Sequence, residues 1–309
     1  MSLLLLSPMK HRSPDRRPSR DRRERQHAGR RPAGDDEQKY HGRHACHALF
    51  AHRPDDIIRV YVDQPRVKEF SALLKWCAEQ RRAYHIVEDE NLERLAETVH
   101  HQGIVVLARR QKELSDDRLL EAIRGGRVGG ALVYLDGVQN PHNLGAILRT
   151  CAHFGIGAVI GRRDQMPGVT ASAARVSEGG AETVPLARLE DPLQVIAELK
   201  SLGYRIFATA SGGGGNVYQA GLIPRSVVIL GNEVHGVSPE MAALADESLQ
   251  IPGTGAVESL NVGVACAVLI SEVARRSQAG VAAKTAAGPV SPPSAGRKKH
   301  RPGKSRPFR

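Results

Sequence analysis

Three stretches of the chain set amide, hydroxyl, carboxylate and guanidinium side chains among closely spaced glycines. They are Asn140-Pro-His-Asn-Leu-Gly-Ala-Ile-Leu-Arg149, Leu230-Gly-Asn-Glu-Val-His-Gly236 and Ile251-Pro-Gly-Thr-Gly-Ala-Val-Glu-Ser-Leu-Asn-Val262. Each follows an apolar run of strand character or leads into a helix. Ligand sites of open α/β sheets form at such strand ends. Each stretch also has a purely structural reading. Asn143 can cap a helix that carries Arg149 on a solvated face, Gly231 and Gly236 can serve one tight turn, and Ser259 and Asn261 can cap the last helix. Three such loops on one sheet exceed what capping requires. No G-x-x-x-x-G-K-[ST] phosphate loop occurs. Ser211-Gly-Gly-Gly-Gly215 follows a strand but lacks the register of a dinucleotide turn, and it reads as a mobile loop. His41, His44 and His47 recur every third residue, a spacing one helix face gathers poorly, so no metal site is expected.

The elements that must position these loops fall into two α/β runs. In the first, residues 38–110, Ala45–Phe50 reads as a helix and Ile57–Val62 as a strand. Phe70–Gln80 is an amphipathic helix with Phe70, Leu73, Leu74 and Cys77 on one stripe. Tyr84–Val87, Leu92–Val99 and Ile104–Ala108 read as strand, helix and strand. Residues 111–130, polar and then rich in glycine, read as a linker. In the second run, residues 131–279, strands are expected at Ala131–Leu135, Ala158–Ile160, Tyr204–Thr209, Val227–Leu230 and Leu249–Ile251. Helices are expected at Leu144–Phe154, Pro192–Leu202 and Ser259–Arg276. Apolar strands without alternation, spaced by helices, predict a parallel sheet covered on both faces.

The net charge is +11, and it is carried by the ends. Residues 1–37 hold ten Lys/Arg and six Asp/Glu; residues 280–309 hold eight Lys/Arg and no acid. Both ends read as disordered arms that meet a polyanion. Cys46, Cys77, Cys151 and Cys266 are too scattered for a zinc or disulfide framework, which fits a reducing, cytoplasmic setting. The four leucines at Leu3–Leu6 are too few for a signal peptide, and no stretch approaches a membrane span.

The three stretches resemble the signature motifs of the SpoU (TrmH) family of RNA 2′-O-ribose methyltransferases. The first ends in Asn-x-Gly-x-x-x-Arg, matched by Asn143, Gly145 and Arg149. The second is Gly-Asn-Glu-x-x-Gly, matched from Gly231 to Gly236. The third is Ile-Pro-x-x-Gly-x-x-x-Ser-Leu-Asn-Val, matched from Ile251 to Val262. Residues 38–110 resemble the family's substrate-binding domain, akin to a small RNA-binding ribosomal protein, with His101-Gln102-Gly103-Ile104 as its closing segment. The layout is similar to the YfiF branch. Gly253 and Gly263 stand where that family commonly has Met and Ser.

The resemblance implies a knotted (trefoil) α/β domain, a homodimer, S-adenosylmethionine as cofactor and structured ribosomal or transfer RNA as partner. It implies cofactor contacts from Thr209, Gly231, Ile251 and Leu260, and a catalytic set of Asn143, Arg149, Glu233, Ser259 and Asn261. A guanidinium stays protonated, so Arg149 fits an electrostatic clamp better than a base. Glu233 is expected to orient Arg149 or accept the proton, and the arginine can act across the dimer interface. Three other readings stay open on sequence: a binding protein of the same fold without catalysis, a base methyltransferase of a related knotted family, and a dinucleotide enzyme.

Overall fold

The computed structural model of the chain describes residues 36–286, with side chains as far as residue 277. The two charged arms otherwise lie outside the described residues. The first run forms a four-stranded sheet. Its elements are β1 (Glu37–His41), α1 (Arg43–His52), β2 (Ile57–Val62), α2 (Ser71–Glu79), β3 (Ala83–Ile86), α3 (Asp89–Ala96) and β4 (Ile104–Arg109). The strand order is β1-β4-β2-β3, with β2 and β3 parallel and the other pairs antiparallel. The α2 stripe is buried as expected: Phe70, Leu73, Leu74 and Cys77 all face the core. Strand β1 was not expected, and Glu37 had been placed in the charged leader. Its inward residues include Gln38, Tyr40 and His41, so a buried strand carries no apolar alternation.

The second run forms a seven-stranded sheet in the order β7-β6-β5-β10-β8-β11-β9, parallel throughout. Its strands are β5 (Leu132–Asp136), β6 (Ala158–Arg162), β7 (Leu186–Leu189), β8 (Arg205–Thr209), β9 (Gly215–Asn216), β10 (Ser226–Gly231) and β11 (Glu247–Gln250). The helices are α4 (Asp116–Arg124), α5 (Pro141–Phe154), α6 (Ala171–Ser177), α7 (Gly180–Thr183), α8 (Pro192–Ser201), α9 (Pro239–Ala243) and α10 (Val262–Ala286). Every residue of β5 is buried, as a central strand covered on both faces requires.

The stretch read as a linker contains α4. This helix buries Leu119, Leu120 and Ala122 against the second sheet. The Asp116 carboxylate accepts the Glu190 and Asp191 amides at 3.0 and 2.9 Å. The segment is polar because only one narrow face of a short helix is covered. Elements α6, α7 and β7 were likewise not expected. Their alanines, glycines and short spans give little periodicity, yet α6 and α7 pack directly on α5. The last helix starts at Val262 rather than Ser259, because Asn261 is its cap.

The two runs are joined through a shared core. At the joint, Arg53 after α1 meets Glu182 of α7, with Nε–Oε2 at 2.6 Å and Nη2–Oε1 at 3.0 Å. The guanidinium also donates to Asp56 and to the Tyr40 hydroxyl, at 2.9 and 3.0 Å. The Glu182 side chain is only 3% exposed. Removing one partner leaves a buried carboxylate unpaired, so Arg53→Ala is expected to cost about 3 kcal/mol in a denaturant unfolding titration. The Arg53→Met/Glu182→Met double variant should recover most of that loss.

Helix α10 is anchored by Glu272, which pairs with Arg275 and Arg276 at 2.7 and 2.6 Å; Arg276 reaches on to the Tyr218 carbonyl at 2.8 Å. The hydrogen bond from Arg275, reinforced by Arg276, holds the Glu272 carboxyl at about 2, below its ordinary 4.5. A depressed carboxylate stabilises the folded state above its unfolded pKa, and that contribution is lost as pH falls towards the folded value. Glu272→Gln should therefore melt below the parent at neutral pH, with the gap closing between about pH 4.5 and 2. Calorimetric scans across that range check this.

Candidate active site

The three polar stretches leave the carboxyl ends of strands that lie together in the sheet. β5 ends at Asp136, β10 at Gly231, β8 at Thr209 and β11 at Gln250, and the sheet runs β5-β10-β8-β11. Gly231 is in register with Asp136, and Leu249 with Thr209. This is where an open α/β sheet leaves a crevice.

After β5, Asn140 caps α5 by accepting the His142 amide at 2.9 Å, and Pro141 fills the first helical position. Asn143, expected as the cap, lies one turn further in, and its side chain is free for other partners. Its amide nitrogen donates to Glu233, and its amide oxygen accepts from Asn261 Nδ2 at 3.2 Å. Asn261 in turn accepts the Gly263 amide at 2.9 Å, so it caps α10 and joins the cluster at once. One side-chain amide thus ties the three stretches together.

The second loop is held in shape by Asn232, a residue that the sequence reading passed over although it sits inside the motif. Its backbone pairs with Gly236 in both directions, at 3.0 and 2.9 Å. Its side chain donates to the Gly137 carbonyl at 2.8 Å and accepts the Val234 amide at 2.8 Å. Buried Asp136 accepts the Ser238 amide at 2.6 Å, closing the same loop from the other side. A Cβ on Gly231 would overlap the Gly236 carbonyl carbon and the Val237 nitrogen. The glycine is needed for the turn itself.

Arg149 stands apart from this cluster. Six residues at about 100° each carry it roughly a third of a turn away from the Asn143 face, and about 9 Å along the axis. It pairs with Glu178 at 2.9 Å and is 57% exposed. Glu233 therefore does not orient Arg149 within one chain, contrary to expectation; Glu233 is engaged by Asn143. The close packing that fixes Arg149 comes from glycines. A Cβ on Gly145 would stand 2.7 Å from the Ala173 carbonyl oxygen, and one on Gly180 would stand 2.7 Å from the Leu148 carbonyl oxygen.

Among the remaining candidates, the Thr209 hydroxyl donates to the Ile229 carbonyl at 3.0 Å, which straps β8 to β10. Ile251 packs half-buried against the core, while Ser259 lies on the exposed segment before α10. Leu260 is exposed, as are Val234, Val257 and Val264 on the same loops and the start of α10. The three histidines do not converge. His41 is buried, and desolvation lowers its pKa to about 4; His47 faces Glu69 at 3.4 Å; His44 is exposed.

A parallel sheet with amide-linked polar loops gathered at its strand ends defines a layered α/β protein with one candidate site at that edge. Comparison with known proteins narrows this class. Residues 130–271 match the SpoU rRNA methylase family, and residues 41–114 match the RNA 2′-O ribose methyltransferase substrate-binding family. The chain is 35% identical over 239 residues to the 23S rRNA (guanosine-2′-O-)-methyltransferase RlmB of Bordetella pertussis, covering 77% of this chain and 96% of that protein. It is 32% identical over 244 residues to the uncharacterized tRNA/rRNA methyltransferase YfiF of Escherichia coli O157:H7, covering 79% of this chain and 70% of YfiF. In fold it matches the SpoU methyltransferase AviRb of Streptomyces viridochromogenes, solved with S-adenosylmethionine (AdoMet), at a TM-score of 0.64 and 18% identity, covering 84% and 94% of the two chains. The chain belongs to the SpoU rRNA methylase family of RNA 2′-O-ribose methyltransferases.

Gly231→Ala should weaken S-adenosylmethionine binding at least tenfold in calorimetry, because the added methyl displaces the 232–236 turn. Strand β10 is otherwise unchanged, so the cost in stability should stay within about 1–3 kcal/mol.

Proposed function

We propose that the chain methylates a ribose 2′-hydroxyl in structured ribosomal or transfer RNA, acting in the cytoplasm as a homodimer. The single observation that carries the reading is the Asn143–Glu233–Asn261 cluster at the strand ends. Within the proposal, residues 38–110 hold RNA and residues 131–279 hold the cofactor and perform the chemistry. A trefoil knot in the second unit would bring the second and third motifs together.

The loops suit S-adenosylmethionine. Gly231, Ile251 and Leu260 offer backbone and apolar surface to the adenosine, and Thr209 contributes backbone because its hydroxyl is already engaged. Glu233 places a carboxylate where a sulfonium cation is favoured. The cofactor supplies an electrophilic methyl group. The ribose 2′-hydroxyl would be held towards that methyl group, and Glu233 or water would take the hydroxyl proton. Asn143, Asn261 and Ser259 orient the ribose. Arg149 stabilises negative charge on the oxygen and clamps the adjacent phosphate.

Arg149 faces away from Asn143 on the same helix, which supports a site completed by a second protomer. Arg149→Ala should lower the single-turnover rate about 10²–10³-fold with cofactor affinity nearly intact. Labelled cofactor, mixed ribosomal and transfer RNA, and nuclease mapping of the product measure the activity; methyl on a base would refute the ribose reading. Mixing Arg149→Ala with Asn143→Ala dimers should restore roughly one quarter of parental activity, since half the reassorted dimers carry one intact composite site. No recovery after reassortment would refute the shared site.

A further inference from the structure

We infer that the open edge of the first sheet, centred on Tyr61 and His85, is a stacking platform for an unpaired base of the RNA; this rests on the function proposed above. Among the described residues β3 pairs with β2 alone, and all four of its residues are exposed. Edge strands usually carry charge, proline or a cover that keeps other chains away. Here the edge instead presents Tyr84 and Ile86, 42% and 50% exposed.

On one face of the sheet Tyr61 and His85 are register partners, and their rings stack at 5.3 Å between centroids and 20° between planes. Tyr61 is the inner member. His85 is the outer one, with, among the described residues, no strand beyond it and no other ring against it. Its outward π-face can therefore continue the stack. Arg59, two residues before Tyr61 on the same face, donates to the Tyr61 hydroxyl at 3.3 Å, which holds the inner ring in place.

The charge around the edge is polar along the strand. Arg59, Arg81 and Arg82 lie at the amino end of β3, since Arg59 is in register with Ala83. Glu88, Asp89 and Glu90 follow its carboxyl end. A nucleotide stacked on His85 would turn its phosphate towards the arginines and away from the acids. Duplex RNA hides its base faces, so an aromatic platform selects a splayed base in a loop, bulge or end.

The test is binding of the full chain to two RNAs, a pool of hairpins with a randomised unpaired loop and a fully paired duplex of equal length. His85→Ala should weaken hairpin binding about tenfold, as loss of one base–aromatic stack predicts, and leave duplex binding unchanged. His85→Phe should bind hairpins like the parent. Cofactor affinity and circular dichroism should be the same in all three proteins. Unchanged hairpin affinity in His85→Ala, or an equal loss on both RNAs, overturns the inference while the proposed activity stands. A change in sedimentation on removing His85 also overturns it, marking the edge as a protein contact. Failure of the parent to bind either RNA overturns both readings.

Discussion

The side-chain amide of Asn143 is the group that links the three polar loops. It donates to Glu233 and accepts from Asn261, a residue 118 positions further along the chain. Neither Asp nor Leu can replace it: a carboxylate has no donor for Glu233, and an apolar group has no partner for either. The bond is possible only because Asn140 has taken over the cap of α5. Had Asn143 been the cap, its oxygen would have been spent on the helix backbone and the second and third loops would have lost their common anchor.

A second constraint is the tight layering of α5, α6 and α7. Gly145 and Gly180 let backbone approach backbone where any side chain would intrude. This layer has two consequences for function. It fixes the rotation of α5, so that Asn143 and Arg149 face different neighbours. It also places Glu182 of α7 where Arg53 can reach it, which ties the four-stranded unit to the layer that carries Arg149. Relative placement of the two units is thus set by the same packing that orients the proposed clamp.

The loops gain their form from backbone pairing. Asn232 and Gly236 close a small turn, Asp136 receives the amide at its exit, and Gly231 lies too close to that exit to bear a methyl group. Such a turn presents its tip, Glu233 and Val234, to solvent. Exposed apolar residues on adjoining loops are costly to leave in water and are characteristic of surfaces that meet a ligand or partner.

Sequence alone determined the two α/β runs, the amphipathic stripe of α2, the parallel character of the second sheet and the three polar loops, because apolar periodicity and glycine spacing are local properties. It did not reveal β1, whose inward side chains include Gln38 and His41, or α4, whose covered face is too narrow to dominate a polar segment. Nor could it assign partners. Asn143 is a plausible cap on paper, and nothing local to Glu233 says whether it orients Arg149 or meets another group. Which asparagine caps, and which group Glu233 meets, depends on the rotation of α5 against α6 and on the order of strands β5, β10, β8 and β11. Those are properties of the packed sheet, set by contacts between residues distant in the chain, and only the tertiary structure decides them.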